Sequence, residues 1–176
     1  MFKIIISYLK FAFPKILSRI IIPNSNNIYS EKIRKSGYCV IKNFLSEKDC
    51  LMIKKDLNYF IKNNPSKVYL YSNYDYRIFS FNKVSKKTDQ FLKNKFLIDI
   101  ILKYQNTKKV KYSFTLGAKL INKKNNEGSG GGWHRDNLDD SYPKAILYLS
   151  DVGQDNGPFQ YIENSHNFFN IVNFLL

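Results

Sequence analysis

The sequence predicts an α+β fold with a mainly β core, and three features indicate it. Runs rich in β-branched and aromatic residues, in the middle of the chain and again in its last third, are typical of strands. Before them, apolar residues recur at helical spacing over residues 47–62. With 176 residues, 44% of them hydrophobic, the chain is long enough to bury the core of a single domain. We therefore expect one domain over residues 1–176.

This domain divides into an N-terminal helical segment (1–27), a part with helices and outer strands (28–107) and a β part (108–176). Residues 1–22 are apolar and basic, but their longest uncharged runs fall far short of the ~20 residues that span a bilayer. We expect a helix packed on the domain, and a helix lying on a membrane surface is the alternative. Pro14 would kink either helix.

The next elements are a strand and a helix. Tyr38–Phe44 has strand composition, and Gly37 turns the chain into it. Ser46 followed by Asp49 resembles a capping box, and Glu47 suits the positive end of a helix dipole. The helix is predicted from about Glu47 to Lys62, before Pro65.

Aromatic strands follow at Val68–Tyr71 and Tyr76–Phe81. Aromatic residues among positive charges can also stack on nucleic-acid bases. Alternating aromatic residues in a sheet are more often packing residues, which is the interpretation we favour. A second helix is predicted from Ser85 or Thr88 to about Gln105, and then a strand within Lys111–Asn122.

A glycine-rich loop, Gly128–Gly132, precedes the segment Trp133–Asp136. In an extended segment, side chains two residues apart point to the same face, so His134 and Asp136 would converge. An imidazole and a carboxylate are two of the three ligands of the facial triad that holds non-haem Fe(II). An H-x-D triplet occurs by chance in roughly one such chain in ten, so its surroundings matter.

These surroundings form an ordered series of blocks. A strand, PKAILYLSDV, begins at Pro143, the turn Asp155–Pro158 follows, PFQYI returns as a strand, and Glu163–His166 closes the unit. With the glycine-rich loop and WHRDN, this order resembles the phytanoyl-CoA dioxygenase family. Ser36–Ser46 looks like the opening strand of the same family.

The resemblance implies a double-stranded β-helix, a jelly-roll or cupin-like fold with N-terminal helices packed on it, of which residues 108–176 would be the first part. It implies Fe(II) held by His134, Asp136 and a distal histidine, with 2-oxoglutarate as cosubstrate. The expected reaction is hydroxylation of a small organic substrate.

Two parts of the family pattern are absent from this sequence: the distal histidine and the basic residue, usually Arg, that pairs with 2-oxoglutarate. His166, the other histidine here, is only 30 residues beyond Asp136. In the family pattern this position is not a ligand, so we expect it to bond a loop, and a third-ligand role is the alternative. Lys119 is either an exposed lysine of the predicted strand or a residue that offers its positive charge to the oxoacid. We expect a β-helix lacking its C-terminal strands, with impaired or no activity.

The net charge of +14 raises the question of partners. The lysines are spread along the chain, and their abundance together with Asn, Ile, Phe and Tyr indicates a compositional bias. We therefore do not expect nucleic-acid binding, whereas residues 1–22 could meet a membrane surface. A non-catalytic module completed by a second chain at an open strand edge is a further alternative. Cys39 and Cys50 are too few for a disulfide framework and predict a reducing cytoplasm.

Overall fold

The computed structural model describes residues 27–110, 113–121, 132–134 and 143–166, and it shows helices packed on a small antiparallel sheet. None of the helices in these ranges is long and apolar enough to cross a membrane. The elements in chain order are α1 (Ile28–Ser36), α2 (Glu47–Asn63), β1 (Tyr69–Ser72), β2 (Asp75–Phe79), α3 (Lys86–Leu92), α4 (Lys95–Gln105) and β3 (Leu116–Leu120).

The sheet has the order β1-β2-β3, and both pairings are antiparallel. Its inner face packs against α2 through Ile78 of β2 and Phe81, which follows β2. Ile53 and Leu57 of α2 complete this buried cluster. Gly117, opposite Ile78, is needed in β3 because a Cβ there would lie 2.7 Å from the Phe81 ring. The helix therefore sits directly on the sheet.

Helix α2 confirms the prediction closely, since it runs from Glu47 to Asn63. The Ser46 hydroxyl accepts a hydrogen bond from the Asp49 N–H at 3.1 Å, which is the predicted cap. The Asp49 carboxylate also pairs with Lys87 of α3 at 2.7 Å. The hydrogen bond from Lys87 lowers the pKa of Asp49.

Helix α1 is tied to α4 through its N-cap residue, Asn27. The Asn27 Oδ1 accepts from the N–H groups of Tyr29 and Ser30, while its Nδ2 donates to Asp99 Oδ2 of α4 at 2.9 Å. This donation from Asn27, with a second one from Lys103, lowers the pKa of Asp99. One side chain thus caps one helix and holds it to another.

The structure corrects several predicted elements. The single helix predicted up to Gln105 is two helices, because Asn94 caps α4 by accepting from the Leu97 N–H. The predicted strand Tyr38–Phe44 is wrong: Asn43 has φ +52°, which ends the extended run, and no strand of the described residues pairs with it.

Residues 143–152 and 158–162, predicted as strands, are not strands either, because no hydrogen-bonded ladder forms along them within the described ranges. The predicted turn between them is confirmed as a short 3₁₀ helix, Gln154–Asn156, followed by Gly157 with φ +69°. The double-stranded β-helix stays a prediction, because the sheet of the described part has three strands.

We predict that Asn27→Ala lowers the free energy of unfolding by about 1 kcal/mol at neutral pH, since α1 loses its cap. Because the pKa of Asp99 is lowered in the folded protein, its ionised form stabilises the fold. This stabilisation is present above the ordinary carboxyl pKa of about 3.9, and it is lost as the pH falls through the pKa of the folded state. The variant should therefore lose less stability than the wild type on acidification below about pH 4.

Urea unfolding followed from pH 7 downwards measures both effects. Asn94→Ala is the matched control because Asn94 caps α4 without bonding an acid among the described residues. An acid dependence changed equally in both variants would contradict the coupling between Asn27 and Asp99.

Candidate metal centre

The imidazole of His134 is held by the backbone two residues before it. His134 Nδ1 lies 2.9 Å from the Gly132 carbonyl oxygen, and Gly132 has φ +88°. A carbonyl only accepts, so the proton of the neutral ring sits on Nδ1 and the lone pair on Nε2. Metal-binding histidines are commonly oriented by such a contact, which fixes the ring and the tautomer. The exposed His134 side chain therefore has the chemistry of an Nε2 ligand.

The second predicted ligand, Asp136, lies outside the described residues. No three His, Cys, Asp or Glu side chains converge on a common point within the described ranges. The pairing of His134 with Asp136 therefore stays a prediction.

His166 lies at the C-terminus of α1. Its Nε2 is 2.9 Å from the Arg34 carbonyl oxygen, so this nitrogen carries the proton and donates. The Asn164 N–H also donates to the Ser36 carbonyl at 3.3 Å. Both bonds satisfy carbonyls that the end of the helix leaves without a partner. The observed contact agrees with the structural role expected for this histidine.

Gly37 makes this docking close. It has φ +86°, and a Cβ on it would lie 2.1 Å from the Tyr161 hydroxyl and 2.6 Å from His166 Nδ1. The Tyr38 and Tyr161 rings stack at a tilt, with centroids 5.6 Å apart. The sequence identified Gly37 as a turn residue, but it did not indicate that the turn Glu163–His166 packs against it.

Lys119 of β3 is exposed, and its Nζ donates to Asn58 Oδ1 of α2 at 2.8 Å. The amine thus meets the exposed side of α2 in this structure. Its role in binding 2-oxoglutarate is not tested by this contact and stays a prediction.

A buried ion pair on β2 was missed by sequence reasoning. Asp75 is 1% exposed, and its Oδ2 accepts from Arg77 Nη2 at 2.7 Å and Nε at 3.0 Å. The Arg77 guanidinium also lies over the Tyr71 ring, 4.1 Å from its centroid. The pattern Asp-x-Arg within a strand could have indicated this ion pair, because residues two apart in a strand share a face. Asp75 Oδ1 is buried with no hydrogen-bond partner, so Arg77 carries the compensation for this buried charge.

Comparison with known proteins adds one match to this geometry. The family model for phytanoyl-CoA dioxygenase matches residues 33–171, well over half of the chain. The chain belongs to the phytanoyl-CoA dioxygenase family. No curated protein and no solved structure matches it.

This membership confirms the resemblance seen in the sequence and implies an Fe(II)/2-oxoglutarate oxygenase-like function. The range matched by the phytanoyl-CoA dioxygenase model includes His134, Asp136 and His166, as well as the whole three-stranded sheet. The family is Fe(II)- and 2-oxoglutarate-dependent in general. His134, with its lone pair on Nε2, fits the imidazole ligand of such a site.

We predict that Gly37→Ala destabilises the fold by two effects, the strained left-handed backbone and the overlap with Tyr161 and His166. Two controls separate these effects. Gly157→Ala adds a Cβ at φ +69° with no atom within 4 Å, and Gly117→Ala adds a clash with Phe81 at an ordinary φ. We expect about 1 kcal/mol for Gly157→Ala and at least 2 kcal/mol for Gly37→Ala in denaturant unfolding. Equal losses at Gly37 and Gly157 would contradict the close docking.

We also predict that His166→Ala lowers the free energy of unfolding by roughly 1–2 kcal/mol, because the Arg34 carbonyl loses its donor. His166→Gln keeps an N–H donor and should lose less. His134→Ala removes an exposed side chain and should change stability by less than about 0.5 kcal/mol. Thermal or urea unfolding of the three variants checks this order, and a neutral effect of His166→Ala would refute the capping role.

Proposed function

We propose that this protein is an Fe(II)/2-oxoglutarate-dependent dioxygenase-like protein that hydroxylates a small organic substrate when its site is complete. The proposal rests on the His134 ring, held in the tautomer of an Nε2 ligand, inside a range that matches the family model. Asp136 is the proposed carboxylate ligand, two residues further on.

The roles of the protein's own groups follow from this assignment. The Gly132 carbonyl, by accepting the Nδ1 proton, orients the His134 ring and fixes its tautomer. Fe(II) and 2-oxoglutarate, when bound, would supply the chemistry that activates O2, the oxidant for hydroxylation. Lys119 is the proposed charge for the oxoacid, and it would have to leave Asn58 to act so.

We further propose that the site binds iron weakly in this sequence. The chain has two histidines, and the Nε2 of His166 already donates to the Arg34 carbonyl. That nitrogen carries a proton and has no lone pair for a metal, and the other ring nitrogen, Nδ1, is buried where the turn packs against Gly37. Within these residues, His134 and Asp136 would then act without a third histidine ligand, which favours an impaired or inactive oxygenase site.

A second candidate is a non-catalytic module that pairs with a second chain. Strand β1 lies at one edge of the sheet and is paired only with β2 in the described ranges. Tyr69, Leu70 and Tyr71 of this edge strand are each about half exposed. An open edge with apolar side chains can add a strand from another molecule. The proposed partner is a second copy of this chain or a separate chain that supplies strands.

We predict that anaerobic Fe(II) titration with 2-oxoglutarate gives a weak visible band of the chelated complex, with loose affinity. His134→Ala and Asp136→Ala should abolish the band, whereas His166→Ala should leave it unchanged. Lys119→Met should weaken the binding of 2-oxoglutarate without altering the binding of Fe(II). Succinate production under air then reports on turnover separately from binding.

Two results would contradict parts of this proposal. A band that is also lost in His166→Ala, with unfolding unchanged, would make His166 the third ligand. The absence of any band in the wild type would reject the iron site and favour the module. Light scattering tests the module directly, because a strict monomer across the concentration range would reject self-pairing at β1.

A further inference from the structure

The outer face of α2 carries an ordered row of charge. Lys48, Lys55 and Lys62 follow each other at seven-residue intervals, and all three are exposed. At ~100° per residue a seven-residue step returns to within ~20° of its starting direction. The three amines therefore lie along one line of the helix, opposite the side on which Ile53 and Leu57 are buried.

Large apolar side chains flank this row. Leu51 is 53% exposed, Met52 is 43% exposed and Tyr59 is 69% exposed. Part of this surface is a shallow groove on the first two turns of the helix, lined by Glu47, Lys48, Leu51, Met52 and Lys55. Because α2 already buries its core side against the sheet, the fold does not explain why these residues are apolar.

The acids of the helix offset only part of the charge of this row. Asp49 pairs with Lys87, Asp56 is half-buried, and Glu47 stands at the N-terminal end of the groove. No ion pair joins the three lysines to a carboxylate of the described residues. Lys119 adds a fourth exposed cation where it bonds Asn58 of the same helix. The face therefore presents an excess of positive charge beside apolar surface.

We propose that this face of α2 docks on an anionic lipid bilayer. Lysine side chains can lay their stems along the apolar interface while the amines meet lipid phosphates. Leu51, Met52 and Tyr59 would enter the interfacial layer between them. A nucleic-acid surface would instead favour arginine forks and several aromatic rings for stacking, and this face has one aromatic residue and no arginine. Docking leaves the core contacts of α2 untouched, and it does not depend on the iron site.

Co-sedimentation of the full chain with vesicles tests the proposal. The vesicles contain phosphatidylcholine alone, or phosphatidylcholine with phosphatidylglycerol. The face variant carries Lys48→Gln, Lys55→Gln and Lys62→Gln. The matched control carries Lys35→Gln, Lys95→Gln and Lys109→Gln, which are exposed lysines outside α2 and change the net charge equally. Both variants retain residues 1–22, so their difference reports on α2 alone.

We expect the wild type to bind anionic vesicles and not neutral ones, and binding to weaken with added salt. The face variant should bind on the order of a hundredfold more weakly, at roughly fivefold for each lysine near an anionic surface. The control should change by less than about fivefold. Leu51→Ser with Met52→Ser should weaken the binding that remains at high salt, where charge is screened.

Three outcomes would overturn the proposal: absence of binding to anionic vesicles at low salt, equal binding to neutral vesicles, or equal losses in the two lysine variants. A face variant that loses affinity for duplex DNA but keeps its affinity for vesicles would also overturn it, in favour of a nucleic acid. Far-UV circular dichroism and thermal unfolding of each variant establish that exposed substitutions have left the fold intact.

Discussion

The contact of the Phe81 ring with Gly117 is the constraint on which the described fold depends. The ring is 2% exposed and lies where a β3 side chain would otherwise stand, so α2, β2 and β3 meet at one point. Two hydrogen bonds fix the same junction: the Phe81 N–H donates to the Thr115 carbonyl at 3.0 Å, and the Asn82 N–H donates to the Thr115 hydroxyl. A strand held in this way gives the chain a fixed direction before it reaches the glycine-rich loop and His134.

The second junction is the docking of the turn Glu163–His166 on α1. This docking decides which of the two histidines can serve as a metal ligand. An imidazole nitrogen can donate to a carbonyl or bind a metal, but it cannot do both. His166 donates through Nε2, whereas His134 donates through Nδ1 and keeps its Nε2 lone pair. The two histidines of this sequence are therefore in opposite tautomers, and they differ in access: the remaining lone pair of His166, on Nδ1, is buried against Gly37, whereas His134 is exposed.

How much the sequence could predict depends on how local each signal is. The capping pattern at Ser46 and the helical spacing after it located α2 to within one residue, because both act within a few residues of the chain. The H-x-D triplet is also a local pattern, but Asp136 lies outside the described residues, so the pairing with His134 stays a prediction. The strand predicted at Tyr38–Phe44 failed because a strand needs a partner, and the described part of the chain offers none to this segment. The bond from His166 to Arg34 spans 132 residues, so no local pattern could indicate it.

The division of α2 into two faces shows why composition and position carry different information. A bias towards lysine explains how many lysines the chain has, but it does not explain why three of them lie on one line of one helix. The helical period that buries Ile53 and Leu57 also turns this line outwards. The same bias gives no reason for exposed Leu51 and Met52 beside it, since a solvated face needs no apolar residues. Their placement is what separates a surface that binds from one that is merely basic.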